Sequence, residues 1–346
     1  MGNFDALKES IAYLMSIYKE IEEKIKSASN IVITAHKSPD GDSIGASLGL
    51  LNFIEKLGKN ATVCHPDPAP EFLYWLDTSA ILFMTDAPEK ITDLFKKADL
   101  IFSLDYNATD RVGEEMQVLL EQSEAEKIMI DHHLDPDNFA DIMVSETKAS
   151  STAELIAELI LQSGHELLLD EQIGIPLYLG IMTDTGGFRF SSVTPRTHEI
   201  LAKLLNAGVK HNLIHELLND NNTLSRMRLQ GYAMSEKLLI MDDFKVGIIG
   251  LAKEELNRFG YQKGDTDGLA NQVLSIRGMR VAIVFTERDG MMKISFRSKG
   301  EDHVNVLAAE HFDGGGHANA AGGRSDLPVE DTIQKLMKLV PQYFAQ

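Results

Sequence analysis

Four separated stretches of the 346-residue chain carry side chains suited to holding metal ions. The first is His36-Lys37-Ser38-Pro39-Asp40-Gly41-Asp42. Asp40 and Asp42 are two positions apart, so a turning backbone aims their carboxylates in different directions. With an imidazole at His36, that suits two neighbouring ions better than one. Asp105 is the second stretch, Asp131-His132-His133 the third and Asp184 the fourth. Gathered in one pocket, these carboxylates would repel one another and take up protons, a problem that two divalent cations remove. The chemistry such a set supports is that of a binuclear metal centre.

The elements around them explain how they could meet. Residues 31–35, 100–104 and 127–130 are apolar runs that read as buried strands, and His36, Asp105 and Asp131 stand at their exits. Parallel sheets gather strand C-termini along one edge, where open α/β folds bind ligands. Asp184 closes a helix predicted over 171–182 and ended by Gly186-Gly187. The helix dipole favours a cation there, so a bound metal would reverse an unfavourable placement. Some of these carboxylates also have a plainer role open to them. Asp40 or Asp42 can cap the helix that follows from residue 43, and Asp105 can cap the turn 106–109. For Asp131-His132-His133 a purely structural role is hard to find, because three polar groups would pack at a sheet end without a ligand.

Other elements follow from periodicity and punctuation. An amphipathic helix is predicted over 4–27, with Leu7, Ile11, Leu14, Ile17, Ile21 and Ile25 on one side. A strand at 61–65 ends in His65, read as a loop or substrate-channel residue rather than a ligand. Ser150-Ser151-Thr152 supplies hydroxyl caps for a helix to residue 160. Two short helices fill 195–219, and a connecting helix runs from 223 to about 240, placing a domain boundary near residue 225. The predicted division is 1–222, 223–241 and 242–346.

In the last part, strands fit 244–250, 281–285 and 292–296, with a hairpin turn at 287–290. A helix over 265–276 can be capped by its Asp265-Thr266-Asp267 start. Arg297-Ser298 and Asp313-Gly314-Gly315-Gly316-His317 look suited to an anion. Glycines let backbone approach a ligand, N–H groups at such a turn or helix start favour phosphate, and arginine is a fork for phosphate oxygens.

Composition bounds the reading. The chain is 44% hydrophobic and 25% charged, ordinary for a globular protein, and its length suggests two domains. No apolar run reaches the length of a membrane span, and the first residues do not read as a secretory signal. Cys64 is the only cysteine, which rules out an intrachain disulfide and fits a cytoplasmic location. The formal charge of −19 argues against sequence-independent binding to long nucleic acid.

These motifs resemble those of the DHH phosphoesterases. The resemblance is carried by His36-x-x-x-Asp40-x-Asp42, Asp105, Asp131-His132-His133 and Asp184-x-Gly186-x-Phe188, in the family's order. Phe296-Arg297-Ser298 and Gly314-Gly315-Gly316-His317-x-x-Ala320-Ala321-Gly322-Gly323 are similar to the DHH-associated domain. The resemblance implies an α/β fold: a parallel-sheet catalytic domain, a smaller α/β substrate-binding domain and an active site in the cleft between them. It implies two metal ions, manganese by preference over magnesium or cobalt. One would be held by His36, Asp40 and Asp105, the other by Asp42, Asp105, His132 and Asp184. Asp131 would orient a ligand, and His133 would face the substrate and steady its phosphate or assist proton transfer. Arg297, Ser298, Gly315, Gly316 and His317 would grip the rest of the nucleotide.

The implied substrates are RNAs of two to five nucleotides and the 3′-phosphate of 3′-phosphoadenosine-5′-phosphate (pAp). The alternatives are a stand-alone phosphodiesterase for cyclic di-AMP or its linear product pApA, and, in another class, a non-catalytic nucleotide sensor. No membrane partner is expected, and a homodimer is compatible with the sequence.

Overall fold

The computed structural model describes residues 16–288 and 290–344. Leu7, Ile11 and Leu14 of the first predicted helix, and Asp289 of the predicted hairpin turn, lie outside them. The chain divides into two compact units between Asn221 and Asn222.

The first unit is built on a six-stranded parallel sheet. Its strands are β1 (Ile31–Ala35), β2 (Ala61–His65), β3 (Ile81–Phe83), β4 (Leu100–Leu104), β5 (Glu126–Asp131) and β6 (Ile142–Ser145). Their order is β3-β2-β1-β4-β5-β6. Successive connections run one way from β1 and the other way from β4, so the gap between these two strands is the switch point of a doubly wound sheet. The strands read as near-continuous apolar runs because both faces are covered. Ile31, Ile33, Phe102 and Ile130 pack into one core with α1 (16–27), α2 (Gly41–Lys56), α5 (Thr152–Gln162) and α6 (Glu171–Asp184). Val32, Cys64 and Ile101 point the other way, into a core with α3 (Pro88–Lys97) and α4 (Glu114–Gln122). Each fully buried aliphatic side chain of this kind contributes about 1.5–3 kcal/mol. Helices α7 (Pro195–Asn206) and α8 (His211–Asn219) complete the unit.

The second unit holds a mixed six-stranded sheet in the order β11-β12-β10-β9-β8-β7. Only β8 (Val246–Leu251) and β9 (Val281–Arg288) run parallel. The others are β7 (Leu238–Met241), β10 (Met291–Ser298), β11 (Gly315–His317) and β12 (Ala320–Ser325). Ile283, Phe285, Ile294 and Phe296 pack on α12 (Val304–His311) and α13 (Val329–Tyr343). Ile249, Leu251, Ala282 and Val284 pack on the opposite side with α9 (Leu224–Tyr232), α10 (Lys253–Arg258) and α11 (Leu269–Ser275).

Three elements differ from the sequence reading. The connecting helix stops early: α9 ends at Tyr232, a π-helical turn follows over Ala233–Lys237, and Leu238–Met241 is an edge strand paired antiparallel to β8. Four apolar residues in a row fit helix or strand equally, and the partner strand decides. Helix α11 starts at Leu269, not at Asp265, because Gly268 turns left-handed at its start. Asp265 instead accepts a hydrogen bond from the Gln262 N–H at 2.8 Å, within the preceding turn. Finally, Gly315–His317 is neither a turn nor a helix start but the short strand β11, paired with Ala320–Gly322.

Candidate metal centre

His36 follows β1 directly and is buried. Its Nδ1 lies 2.9 Å from the Lys37 carbonyl, which fixes the ring so that Nε2 stands 3.3 Å from Asp105 Oδ2 and 3.7 Å from Asp40 Oδ2. Burial disfavours a charged imidazole, but Asp105 and Asp40 outweigh it and raise the pKa of His36. Asp40 serves two purposes. It is the N-cap of α2: Oδ1 accepts from the Asp42 and Ser43 N–H groups, each at 3.0 Å, while the Ser43 hydroxyl accepts from the Asp40 N–H. Oδ2 is the oxygen turned to His36.

Asp42 sits in the first turn of α2 and is buried. Its carboxylate accepts from the N–H groups of Thr152 at 2.6 Å and Ala153 at 2.9 Å, at the N-terminus of α5. Unpaired N–H groups and the helix dipole favour an anion there. Burial and the charges of Asp105, Asp184 and Asp40 nevertheless drive the pKa of Asp42 well above the usual carboxylate range.

Asp105 lies one residue past β4 with φ +62°, a conformation non-glycine residues adopt at a cost of about 1–2 kcal/mol. Its N–H donates to the Ile130 carbonyl at 3.1 Å. The side chain is buried between the two strand exits. Oδ2 faces His36, while Oδ1 lies 3.6 Å from His132 Nε2 and accepts from the Thr152 hydroxyl at 3.0 Å. His132 Nε2 is also 3.4 Å from Asp184 Oδ2 and 3.9 Å from Asp42 Oδ2. Asp184 is the last residue of α6. Burial pushes its carboxyl up to about 6, with Asp105 and Asp40 adding to the shift and His132 opposing it.

Asp131 ends β5 fully buried and is committed to His133: Oδ1 lies 2.6 Å from Nδ1, and Oδ2 accepts from the His133 N–H at 2.9 Å. His132 and His133 meet edge to face with ring centroids 4.8 Å apart.

Among the described residues, three groups of donor atoms are each close enough to share an ion: His36, Asp40 and Asp105; Asp42, His132 and Asp184; and Asp105, His132 and His133. Carboxylate and imidazole donors suit a hard or borderline divalent cation. The raised carboxyls of Asp42 and Asp184, and the anion at a helix C-terminus, are the strain that such cations relieve.

In the second unit, Arg297 lies on β10, half-buried, and its guanidinium donates to the carbonyls of Phe296 at 2.9 Å and Ala321 at 3.4 Å. Burial lowers its pKa. Ser298 is buried and its hydroxyl is engaged inside the unit, donating to the Asp302 carbonyl and accepting from Asn319 Nδ2 at 2.9 Å. Gly315, Gly316 and His317 are exposed. Gly316 is required by the hairpin: its φ is +134°, and a Cβ there would stand 2.6 Å from the Ala320 carbonyl. At Gly315 the space is open.

Residues 30–181 match the DHH family, N-terminal domain, and residues 244–346 match the DHHA1 domain. An exopolyphosphatase-related protein from Bacteroides fragilis has the same fold, with a TM-score of 0.92 and 37% identity over 95% of this chain and 96% of that one. The chain belongs to the DHH family. Among curated DHH relatives, the bifunctional oligoribonuclease and PAP phosphatase NrnA of Thermus thermophilus is 29% identical over 90% of this chain and 89% of its own. The cyclic-di-AMP phosphodiesterase GdpP of Geobacillus thermodenitrificans is 28% identical over 94% of this chain but only 49% of its own.

Two polar residues of the DHH domain have parts that the sequence does not show. Thr152 reads in the sequence as one of several helix caps. Ser151 does the capping, its hydroxyl accepting from the Glu154 N–H at 3.0 Å, which leaves Thr152 to hold Asp105 and Asp42. His65 is no loop residue: it ends β2 fully buried, with Nε2 3.0 Å from the Ser47 hydroxyl, and burial pulls its pKa down to about 3. It is a neutral packing group behind α2.

Proposed function

We propose that this chain is a metal-dependent phosphoester hydrolase that degrades short oligoribonucleotides and removes the 3′-phosphate of pAp. The observation that carries the reading is Asp105, whose two oxygens face His36 and His132 from between two sets of carboxylate and imidazole donors. His36, Asp40 and Asp105 would hold one divalent ion, and Asp42, Asp105, His132 and Asp184 the other. Such ions, manganese by preference, supply a water that is acidic near neutral pH and charge for the phosphoryl oxygens.

The chain's own residues do the rest. Asp131 fixes the ring of His133, so this imidazole meets the phosphoryl group in one orientation and holds a proton for the leaving oxygen. Thr152 keeps Asp105 in place through its hydroxyl and Asp42 through its N–H. Arg297 and the exposed backbone of Gly315, Gly316 and His317 are assigned to the part of the nucleotide away from the reacting phosphorus. Ser298, whose hydroxyl donates to the Asp302 carbonyl and accepts from Asn319, is assigned to holding the end of β10 beside Arg297. The NrnA relative supports this reading because the match spans nearly all of both chains. The net charge of −19 agrees with a small substrate over a long polyanion.

The GdpP relative supports a second reading, hydrolysis of cyclic di-AMP. Rates on pAp, pApA, a five-nucleotide RNA and cyclic di-AMP, with manganese and with chelator, separate the two. Manganese-dependent turnover of pAp and the RNAs is expected. Activity confined to cyclic di-AMP or pApA would move the chain to the second reading, and nucleotide binding without hydrolysis would make it a sensor.

A further inference from the structure

Two basic residues, Lys37 and Arg111, flank the metal centre at the exits of β1 and β4. Lys37 follows His36 directly. Arg111 lies six positions past Asp105, in the 3-10 turn Thr109–Val112. The Lys37 N–H donates to the Arg111 carbonyl at 2.8 Å, so the loops leaving β1 and β4 are tied side by side where these two residues project. The Lys37 stem runs past Gly113, where a Cβ would lie 3.8 Å from Lys37 Cδ. Both residues are exposed. Among the described residues, neither has a carboxylate within salt-bridge distance, although the chain carries 52 acidic residues against 33 basic ones. Arg297, by contrast, lies in the second unit, where its Nη1 donates to two main-chain carbonyls.

We propose that Lys37 and Arg111 form an anion subsite in the DHH domain that takes a second phosphate group of the substrate, the one not being cleaved. This rests on the phosphoester-hydrolase reading and deepens it. The guanidinium offers a planar fork and the ammonium a mobile point charge, a pairing suited to a terminal phosphate dianion. The ligand class is therefore a nucleotide with a free terminal phosphate next to a scissile phosphoester, such as a nucleoside bisphosphate or a 5′-phosphorylated dinucleotide. It also explains how a strongly acidic protein attracts a small polyanion: the positive charge is local to the strand exits.

The test compares pApA with ApA, which lacks the terminal phosphate, on the full chain with manganese. Variants are Lys37→Ala, Arg111→Ala, the double substitution and Arg111→Lys, each checked for an unchanged melting temperature. For Arg111→Ala, kcat/KM on pApA should fall about tenfold or more, mainly through KM, because a charge-assisted contact is lost. The rate on ApA should stay within about twofold, and Arg111→Lys should recover part of the loss. An equal fall on both substrates, or no fall on pApA, would overturn the proposal. Should the wild type hydrolyse neither dinucleotide, the functional reading fails, and calorimetric binding of pAp and of adenosine 3′-monophosphate, which lacks the 5′-phosphate, still decides the subsite. The proposal then requires the wild type to prefer pAp and the double variant to bind the two alike; a double variant that keeps the preference contradicts it.

Discussion

His36 and Asp105 leave adjacent parallel strands whose onward connections run in opposite directions, and their side chains meet with Nε2 3.3 Å from Oδ2. The meeting falls at the switch point of the sheet, where no crossover helix covers the strand ends. The other residues of the centre are brought to that point by elements with their own reason to be there: Asp40 and Asp42 by the cap and first turn of α2, Asp131, His132 and His133 by the end of β5 and its exit, Asp184 by the end of α6.

The close packing of α2, α5 and α6 controls Asp42. A Cβ at Gly180 would lie 2.6 Å from Ala153 Cβ and 2.9 Å from Asp42 Oδ1. Gly180→Ala is expected to destabilise the chain by about 1–3 kcal/mol and to weaken manganese binding. At Gly49 the added methyl meets the flexible Leu177 side chain at 2.4 Å, away from the centre. Gly49→Ala should therefore lower the denaturation midpoint while leaving metal affinity unchanged, as calorimetric titration of both variants would show.

Thr152→Val keeps the shape of the side chain and removes the hydroxyl that Asp105 Oδ1 accepts from at 3.0 Å. The expected cost is about 1–3 kcal/mol, measured in urea, because a buried acceptor loses its partner. Metal affinity should fall with it. Thr152→Ser should restore the affinity; a serine variant as weak as the valine one would assign the effect to packing.

Asp131→Asn removes the charge that lies 2.6 Å from His133 Nδ1 and raises its pKa against burial. Loss of kcat by about 10²-fold is expected from a misdirected acid–base group. Metal content should persist, because Asp131 is in none of the three donor groups and touches them only through His133. A variant that loses both metal and rate would place Asp131 among the ligands.

Much of this centre was legible in the sequence because strand exits on a parallel sheet must converge, so His36, Asp105 and Asp131-His132-His133 announce a shared edge. What was not legible depends on partners far along the chain. Asp40 looks like either a cap or a ligand; in the structure Oδ1 caps α2 and Oδ2 is turned to His36. Thr152 looks like one cap among three, and its true partners, Asp42 and Asp105, lie 110 and 47 positions away. Leu238–Met241 is a strand only because β8 lies beside it. The glycine run at 314–316 looks like a phosphate cradle, yet Gly316 is fixed by the approach of the Ala320 carbonyl.

Cys64 gives a pH prediction away from the centre. Burial pushes its thiol from about 9 up to about 12. The unfolded chain therefore loses this proton at lower pH than the folded one, and stability should decline as pH rises from 9 towards 12. At pH 8 the native thiol should be inert to a disulfide reagent and react only at the rate of unfolding. Rapid native-state labelling would contradict its burial. Cys64→Ala should flatten the alkaline decline.

The central claim is that Asp105 is shared by two cation sites. Its most direct test is manganese stoichiometry, measured on wild type and Asp105→Ala together with the rate of pAp hydrolysis. Two ions per wild-type chain are expected. The variant should lose at least one of them and its rate should drop by about 10³-fold or more, since the activated water and the charge compensation go together. A folded Asp105→Ala protein that still binds two ions and turns over pAp at a near-normal rate would contradict it.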